Sequence, residues 1–256
     1  MLQTFGNDLF GECVGQVPSK VLALPGWMRQ RSDFRLVIDG LDAVALDLPG
    51  FGGASPEPSS GGGAAHYGDL VTPALMACAT PTVLVGHSFG GRVAVHLAAR
   101  HPDRVGALVL TGVPLLRRDD RPPPKVSLTH RLARWANRIG IVSDERMEAR
   151  RRQHGSQDYR NATGVMRQVL VTVVQETYEE QLRAIAAAGI RVWMVWGADD
   201  DAVPVSTATR AAQILGPSTQ IDIVPEVGHL LPLQRPEALR SAVDAALASI
   251  AAGGRS

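Results

Sequence analysis

Ser88 stands between two glycines in Gly86-His87-Ser88-Phe89-Gly90-Gly91, a G-x-S-x-G pattern. The apolar run Thr82–Val85 precedes it and a helix-like stretch, Arg92–Arg100, follows. That order reads as strand, sharp turn, helix. A serine at the tip of such a turn has its hydroxyl pushed out of the sheet toward a substrate. The glycines have a steric role, since side chains at Gly86 or Gly90 would collide with the neighbouring strand and helix. Ser88 is therefore a candidate nucleophile. Short glycine–serine patterns also serve as plain turns, so the choice rests on what else a nucleophilic serine needs.

It needs an imidazole to take its proton and a carboxylate to hold that imidazole. In a helix-covered parallel sheet these partners sit on loops at the C-terminal ends of later strands, in the order serine, acid, histidine. Two segments fit. Val192–Val195 runs into Trp196-Gly197-Ala198-Asp199-Asp200-Asp201-Ala202-Val203-Pro204, and Gln220–Val224 runs into Pro225-Glu226-Val227-Gly228-His229. Of the seven histidines, only His229 has this placement. His87 adjoins the serine, but its ring is expected on the other side of the turn, as packing. His66, His96, His101, His130 and His154 carry no partner pattern and read as surface or structural residues.

The elements that must position these loops are legible as an alternation. Val21–Leu24, Ala43–Leu48, Thr82–Val85, Ala107–Thr111, Val192–Val195 and Gln220–Val224 are short, apolar and rich in Val, Leu and Ile. Such runs predict strands buried on both faces. Helix-like segments follow several of them: Asp69–Ala79, Gly91–Arg100, Ser206–Leu215 and Pro236–Ala252. The last begins with proline and acid, which suit a first helical turn. The pattern predicts an α/β fold, doubly wound, and residues 11–18 can add an antiparallel strand. Between Gly112 and Gly189 the alternation stops. Helical patterns around Leu128–Ile139, Asp144–His154 and Thr163–Ala188 predict an inserted helical cap. The expected organisation is core 1–113, cap 114–188 and core 189–256. Gly52–Gly63 is rich in Gly, Ser and Pro and reads as a loop.

Composition bounds the function classes. The chain has 256 residues, 45% hydrophobic and 20% charged, as in a soluble globular protein. Net charge is +1, so no global field directs it to nucleic acid. The charge is uneven, because 114–188 carries 14 basic and 9 acidic residues. That excess reads either as solvated helix faces or as attraction for an anionic substrate or surface. The two cysteines, Cys13 and Cys78, match no metal or redox spacing and read as buried thiols of a cytoplasmic protein. Met1–Glu12 lacks the basic start and apolar run of a secretory signal. Ala107–Leu116 is only about half the ~18–20 apolar residues that span a bilayer.

Four segments, in order, resemble the α/β-hydrolase family in its serine-nucleophile branch with a helical cap. Leu24-Pro25-Gly26-Trp27 resembles its oxyanion segment and Asp47-Leu48-Pro49-Gly50-Phe51-Gly52 its D-x-P-G-x-G turn. Gly86–Gly91 resembles its nucleophile elbow, and Trp196–Pro204 with Gly228–His229 its acid and base loops. The resemblance runs nearly end to end and implies a mostly parallel sheet of about eight strands. It registers the acid on Asp200, with Asp199 and Asp201 as neighbours. No acid directly follows Ala107–Thr111, the main alternative position. Pro25 departs from the family's frequent histidine. An oxyanion hole uses backbone N–H groups, and the implied donors are Trp27 and Phe89.

The implied chemistry is acyl transfer to water by Ser88, His229 and Asp200, with no metal or organic cofactor. Relatives that open epoxides or displace halide carry aspartate at position 88. The serine leaves carboxylesterases first, then C–C bond hydrolases, lyases or perhydrolases, and a non-catalytic small-molecule receptor as a remote reading. The expected partner is a small ester or ketone substrate, and the expected state a monomer or homodimer. Tyr159 and Arg160, in a polar stretch before an apolar helix at Val165–Val174, are candidate substrate contacts. Alternatively, Asp158 or Asn161 caps that helix.

Overall fold

All six apolar runs become strands of one sheet in the computed structural model, which describes residues 1–6, 9–52, 55, 57–117 and 161–253. The strands are β1 (Leu2–Phe5), β2 (Leu9–Val14), β3 (Val21–Leu24), β4 (Ala43–Leu46), β5 (Thr82–His87), β6 (Val105–Thr111), β7 (Arg191–Gly197) and β8 (Thr219–Val224). The eight strands lie in the order β1-β2-β4-β3-β5-β6-β7-β8. From β4 to β8 neighbours are parallel, and β1 and β2 add an antiparallel edge.

The helices are α1 (Arg35–Ile38), α2 (Ala64–Ala77), α3 (Ser88–Arg100), α4 (Gly164–Val173), α5 (Glu179–Ala187), α6 (Val205–Leu215), α7 (Leu231–Gln234) and α8 (Pro236–Ala252). The period of two along each strand sends alternate residues to opposite faces. On one face Leu22, Leu84, Leu108 and Met194 pack with Val71 of α2, Val93 of α3 and Ala211 of α6. On the other Val21, Val83, Val109 and Val195 pack with Val37 of α1 and Val243 of α8. This is the doubly wound α/β arrangement that the alternation predicts.

Four elements differ from the sequence expectation. The antiparallel strand expected at 11–18 is Leu9–Val14, because Gly15 turns away at φ 68° and Pro18 has no N–H for a ladder. β1 gave no signal, since only Phe5 of its four residues is buried. β8 is not covered on both faces but is the outer edge, with Ile221 and Ile223 37% and 38% exposed. The helical pattern Thr163–Ala188 is two helices, α4 and α5. The carbonyl of Val173 is taken by the Arg92 guanidinium, and the Tyr178 N–H donates to Leu115 O at 3.0 Å, so the chain leaves the helical path.

α2 also starts earlier than expected. The Glu176 carboxylate accepts the Ala64 N–H at 3.2 Å, satisfying a first-turn donor from 112 residues away. The expected helices at Leu128–Ile139 and Asp144–His154 lie outside the described residues. Among those described, no helix is long and apolar enough to cross a membrane.

Candidate active site

Three loops at the C-terminal edge of the sheet converge, from β5, β7 and β8. β5 ends at His87 and α3 begins at Ser88, whose φ of 49° turns the chain sharply. A Cβ on Gly90 would run into the Leu24 carbonyl of β3, and one on Gly86 into Gly91, so the elbow closes only on glycine.

β7 delivers Asp200, the candidate acid. Asp200 Oδ2 lies 2.8 Å from His229 Nδ1, and its Oδ1 accepts the Val203 N–H at 2.8 Å. Its side chain is 1% exposed, whereas Asp199 and Asp201 are exposed. The acid loop is braced by Trp196, whose indole N–H donates to Val203 O at 2.8 Å. The Asp199 N–H donates to Val227 O at 2.9 Å and ties the acid loop to the base loop. His229 Nε2 then stands 3.1 Å from Ser88 Oγ. The order Ser88–His229–Asp200 is one continuous hydrogen-bonded relay.

Gly112, just after β6, makes room for it. Gly112 has φ 59°, and a Cβ there would stand 3.0 Å from His229 and 3.3 Å from Asp200 Oδ2. The loop after β6 therefore supplies space for the acid–base pair, where the sequence showed only that no acid follows.

The turn after β3 borders the elbow, because β3 and β5 are neighbours. The Arg29 N–H donates to Gly26 O at 3.1 Å, and Met28 has φ 54°, the third-position signature of a type II turn. Trp27 lies within this turn, edge-on to Phe51 at 4.8 Å and to Phe89 at 5.6 Å between ring centroids. The Phe89 N–H falls in the first turn of α3, where no intrahelical acceptor exists. Arg31, following the turn, donates its backbone N–H at 2.8 Å and its guanidinium to the buried carboxylate of Asp47. That pair fastens the Trp27 turn to the Asp47–Gly52 turn. Among the described residues, the non-glycine positions with positive φ are Met28, Ser88 and Glu226. All three lie at this edge of the sheet, where backbone strain is concentrated.

The family model described as the alpha/beta hydrolase family matches residues 21–242. The chain belongs to this family. The hydrolase is 36% identical over 122 residues to a pimeloyl-[acyl-carrier protein] methyl ester esterase of Chromobacterium violaceum, a match spanning 45% of each chain. It thus covers less than half the length of that relative. Among solved structures it resembles an esterase from Thermogutta terrifontis at TM-score 0.64 and 19% identity, over 94% of this chain and 93% of that one. It also resembles a meta-cleavage product hydrolase from Pseudomonas fluorescens at TM-score 0.65 and 18% identity, over 95% and 98%. At such identity these two likenesses speak for the fold.

The site holds further residues whose contacts motif reading did not give. His87 is buried as expected, but its ring lies on the base-loop side. Its Nε2 makes a 2.9 Å hydrogen bond to the His229 carbonyl. Tyr67 donates to Pro49 O at 2.9 Å and meets Phe89 edge-on at 4.8 Å, while Met166 of α4 packs on Gly50 and on the Tyr67 hydroxyl. A glycine directly after a strand was the available signal for Gly112. None existed for Met166, over a hundred residues from Gly50. Cys13 and Cys78 are free and buried, and burial pushes the Cys78 thiol up to about 12, which keeps it from acting as a nucleophile. Among the described residues no group of three His, Cys, Asp or Glu is placed to hold a metal. Tyr159 and Arg160 lie outside the described residues.

Proposed function

We propose that this hydrolase cleaves carboxylic esters through an acyl-enzyme on Ser88. The observation that carries the reading is the relay itself, 3.1 Å from Ser88 Oγ to His229 Nε2 and 2.8 Å from Nδ1 to Asp200. As Ser88 Oγ attacks the ester carbonyl, His229 Nε2 takes its proton. Asp200 accepts the Nδ1–H, holds the tautomer that leaves Nε2 free, and stabilises the imidazolium. The backbone N–H groups of Trp27 and Phe89 receive the oxyanion. His229 then protonates the departing alcohol. A water, deprotonated by His229, cleaves the acyl-enzyme and returns Ser88.

The Trp27, Phe51 and Phe89 rings offer an apolar wall beside the nucleophile, which suits hydrocarbon parts of an ester better than charged ones. Residues 114–188 form the cap in this reading, inserted between core segments 1–113 and 189–256. Its return helix α4 brings Met166 against Gly50 and the Tyr67 hydroxyl, and Tyr67 in turn meets Phe89 of that wall. The methyl ester esterase among the relatives agrees with ester chemistry.

The test is a p-nitrophenyl ester panel of graded acyl length with a fluorophosphonate label. The expected result is turnover, with the label on Ser88 and both lost in Ser88→Ala. Full ester turnover by Ser88→Ala would sink the scheme. Labelled Ser88 with no ester turnover, but with cleavage of a diketone-type substrate, would move the reading to C–C bond hydrolysis on the same relay.

A further inference from the structure

His87 immediately precedes Ser88, is buried, and takes no part in the steps above. Its Nε2 faces the His229 carbonyl at 2.9 Å. A carbonyl only accepts, so Nε2 carries the proton and Nδ1 a lone pair. Nδ1 is itself buried and has no hydrogen-bond partner among the described residues. It lies against the oxyanion turn, since a Cβ on Gly26 would come within 2.9 Å of it and 3.3 Å from the Ser88 Cβ. One ring thus touches three loops: the elbow it belongs to, the base loop through a hydrogen bond, and the oxyanion turn through packing.

The electrostatics agree with a neutral wedge. His229 lies 5.0 Å away between ring centroids. Burial first, and then His229, push His87 down to about 3, and Arg29 adds to this, while the hydrogen bond to the His229 carbonyl and then Asp200 oppose it. A neutral ring puts no second positive charge beside the imidazolium that forms on His229. An unpartnered buried nitrogen is unfavourable by itself, so the placement of the ring is held by what its other edge does.

We propose that His87 is a positioning residue: its Nε2–H holds the His229 backbone, and its ring spaces base loop, elbow and oxyanion turn. The His229 carbonyl is fixed from one side by this bond, and the imidazole from the other by Asp200. Together they hold Nε2 at reach of Ser88 Oγ. The proposal rests on Ser88 being the nucleophile, as read above.

The test compares His87→Gln, whose amide N–H reaches about as far as the imidazole Nε2–H, with His87→Leu, which fills space but donates nothing. The readout is the rate of Ser88 labelling by a fluorophosphonate, which needs no knowledge of the substrate. A displacement of about 1 Å at a reacting group can cost on the order of 100-fold. His87→Leu is expected to slow labelling by roughly 10–100-fold, to lower kcat alike with KM unchanged, and His87→Gln to recover most of both. Labelling of His87→Leu at the wild-type rate, or equal loss in both variants, would overturn the proposal. Should His87→Leu not fold, nitrogen-15 NMR of the wild-type protein decides. The Nε2–H tautomer is expected, and an Nδ1–H tautomer would overturn the proposal. A wild-type protein whose Ser88 takes no label at all would instead bring down the nucleophile reading.

Discussion

Gly112→Ala isolates the geometry of the proposed relay from its chemistry, because it alters none of Ser88, His229 and Asp200. The new Cβ would stand 3.0 Å from Cε1 and Nδ1 of His229 and 3.3 Å from Asp200 Oδ2. Carbon contacts settle at about 3.5–4.0 Å, so the imidazole must retreat by roughly half to one ångström. It cannot keep both partners, since Nδ1 already lies 2.8 Å from Asp200 and Nε2 3.1 Å from Ser88 Oγ. A misplacement of this size can cost on the order of 100-fold, and the expected loss of kcat is roughly 10–100-fold. The fold is affected much less. Alanine in the left-handed region costs about 1–2 kcal/mol, which in a chain of this length lowers Tm by only a few degrees, about 2–4 °C per kcal/mol. Fluorophosphonate labelling rate, p-nitrophenyl ester turnover and a thermal melt, on the same preparation, read all three quantities. Wild-type labelling in Gly112→Ala would refute the reasoning, as would an activity loss that tracks the unfolded fraction.

Asp200→Asn is expected to lower kcat by about 10⁴-fold, with Ser88 labelling slowed in parallel. The Val203 N–H keeps its acceptor, so the melt should shift little. Met28→Gly relieves a φ of 54° and, with the Met28 side chain 58% exposed, is expected to raise Tm by about 2–4 °C while lowering kcat as the Trp27 turn loosens. His87 should leave a signature in stability against pH. Its folded pKa, about 3, lies below the ordinary 6.5, so the unfolded chain binds the proton first. The contribution is fully present above about pH 6.5 and is lost as pH falls toward 3, with a slope of up to about 1.4 kcal/mol per pH unit. Denaturant titrations from pH 4 to 7 should show that slope in the wild-type protein and a shallower one in His87→Gln.

Much of the scaffold could be read residue by residue. Continuous Val, Leu and Ile runs such as Val83–Val85 need burial on both faces, and such burial needs helices on both sides. The readings went astray where local pattern competes with a distant partner. The start of α2 is set by Glu176 and the break between α4 and α5 by Arg92 and Leu115, and none of these is near in sequence. β8 alternates Gln220, Ile221, Asp222 and Ile223 where its inner neighbours run continuously apolar, and it is the edge, because strand order is a property of the assembled sheet.

The sequence by itself singled out a candidate nucleophile, a candidate base and the order in which they occur. Each is marked by a local requirement: glycines that close the elbow around Ser88, and a histidine placed directly after a strand. It narrowed the acid to a run of three aspartates, and family likeness pointed to the middle one. Only the tertiary structure sets Asp200 apart from the other two, burying it against His229 while its neighbours face solvent. It alone showed that Gly112 clears space for the pair and that His87 reaches across to the base loop. The reason is common to all three. Strand and turn propensities act over a few residues, whereas ångström-scale contacts between residues 29 to 142 apart exist only once the parallel sheet has aligned its strand ends.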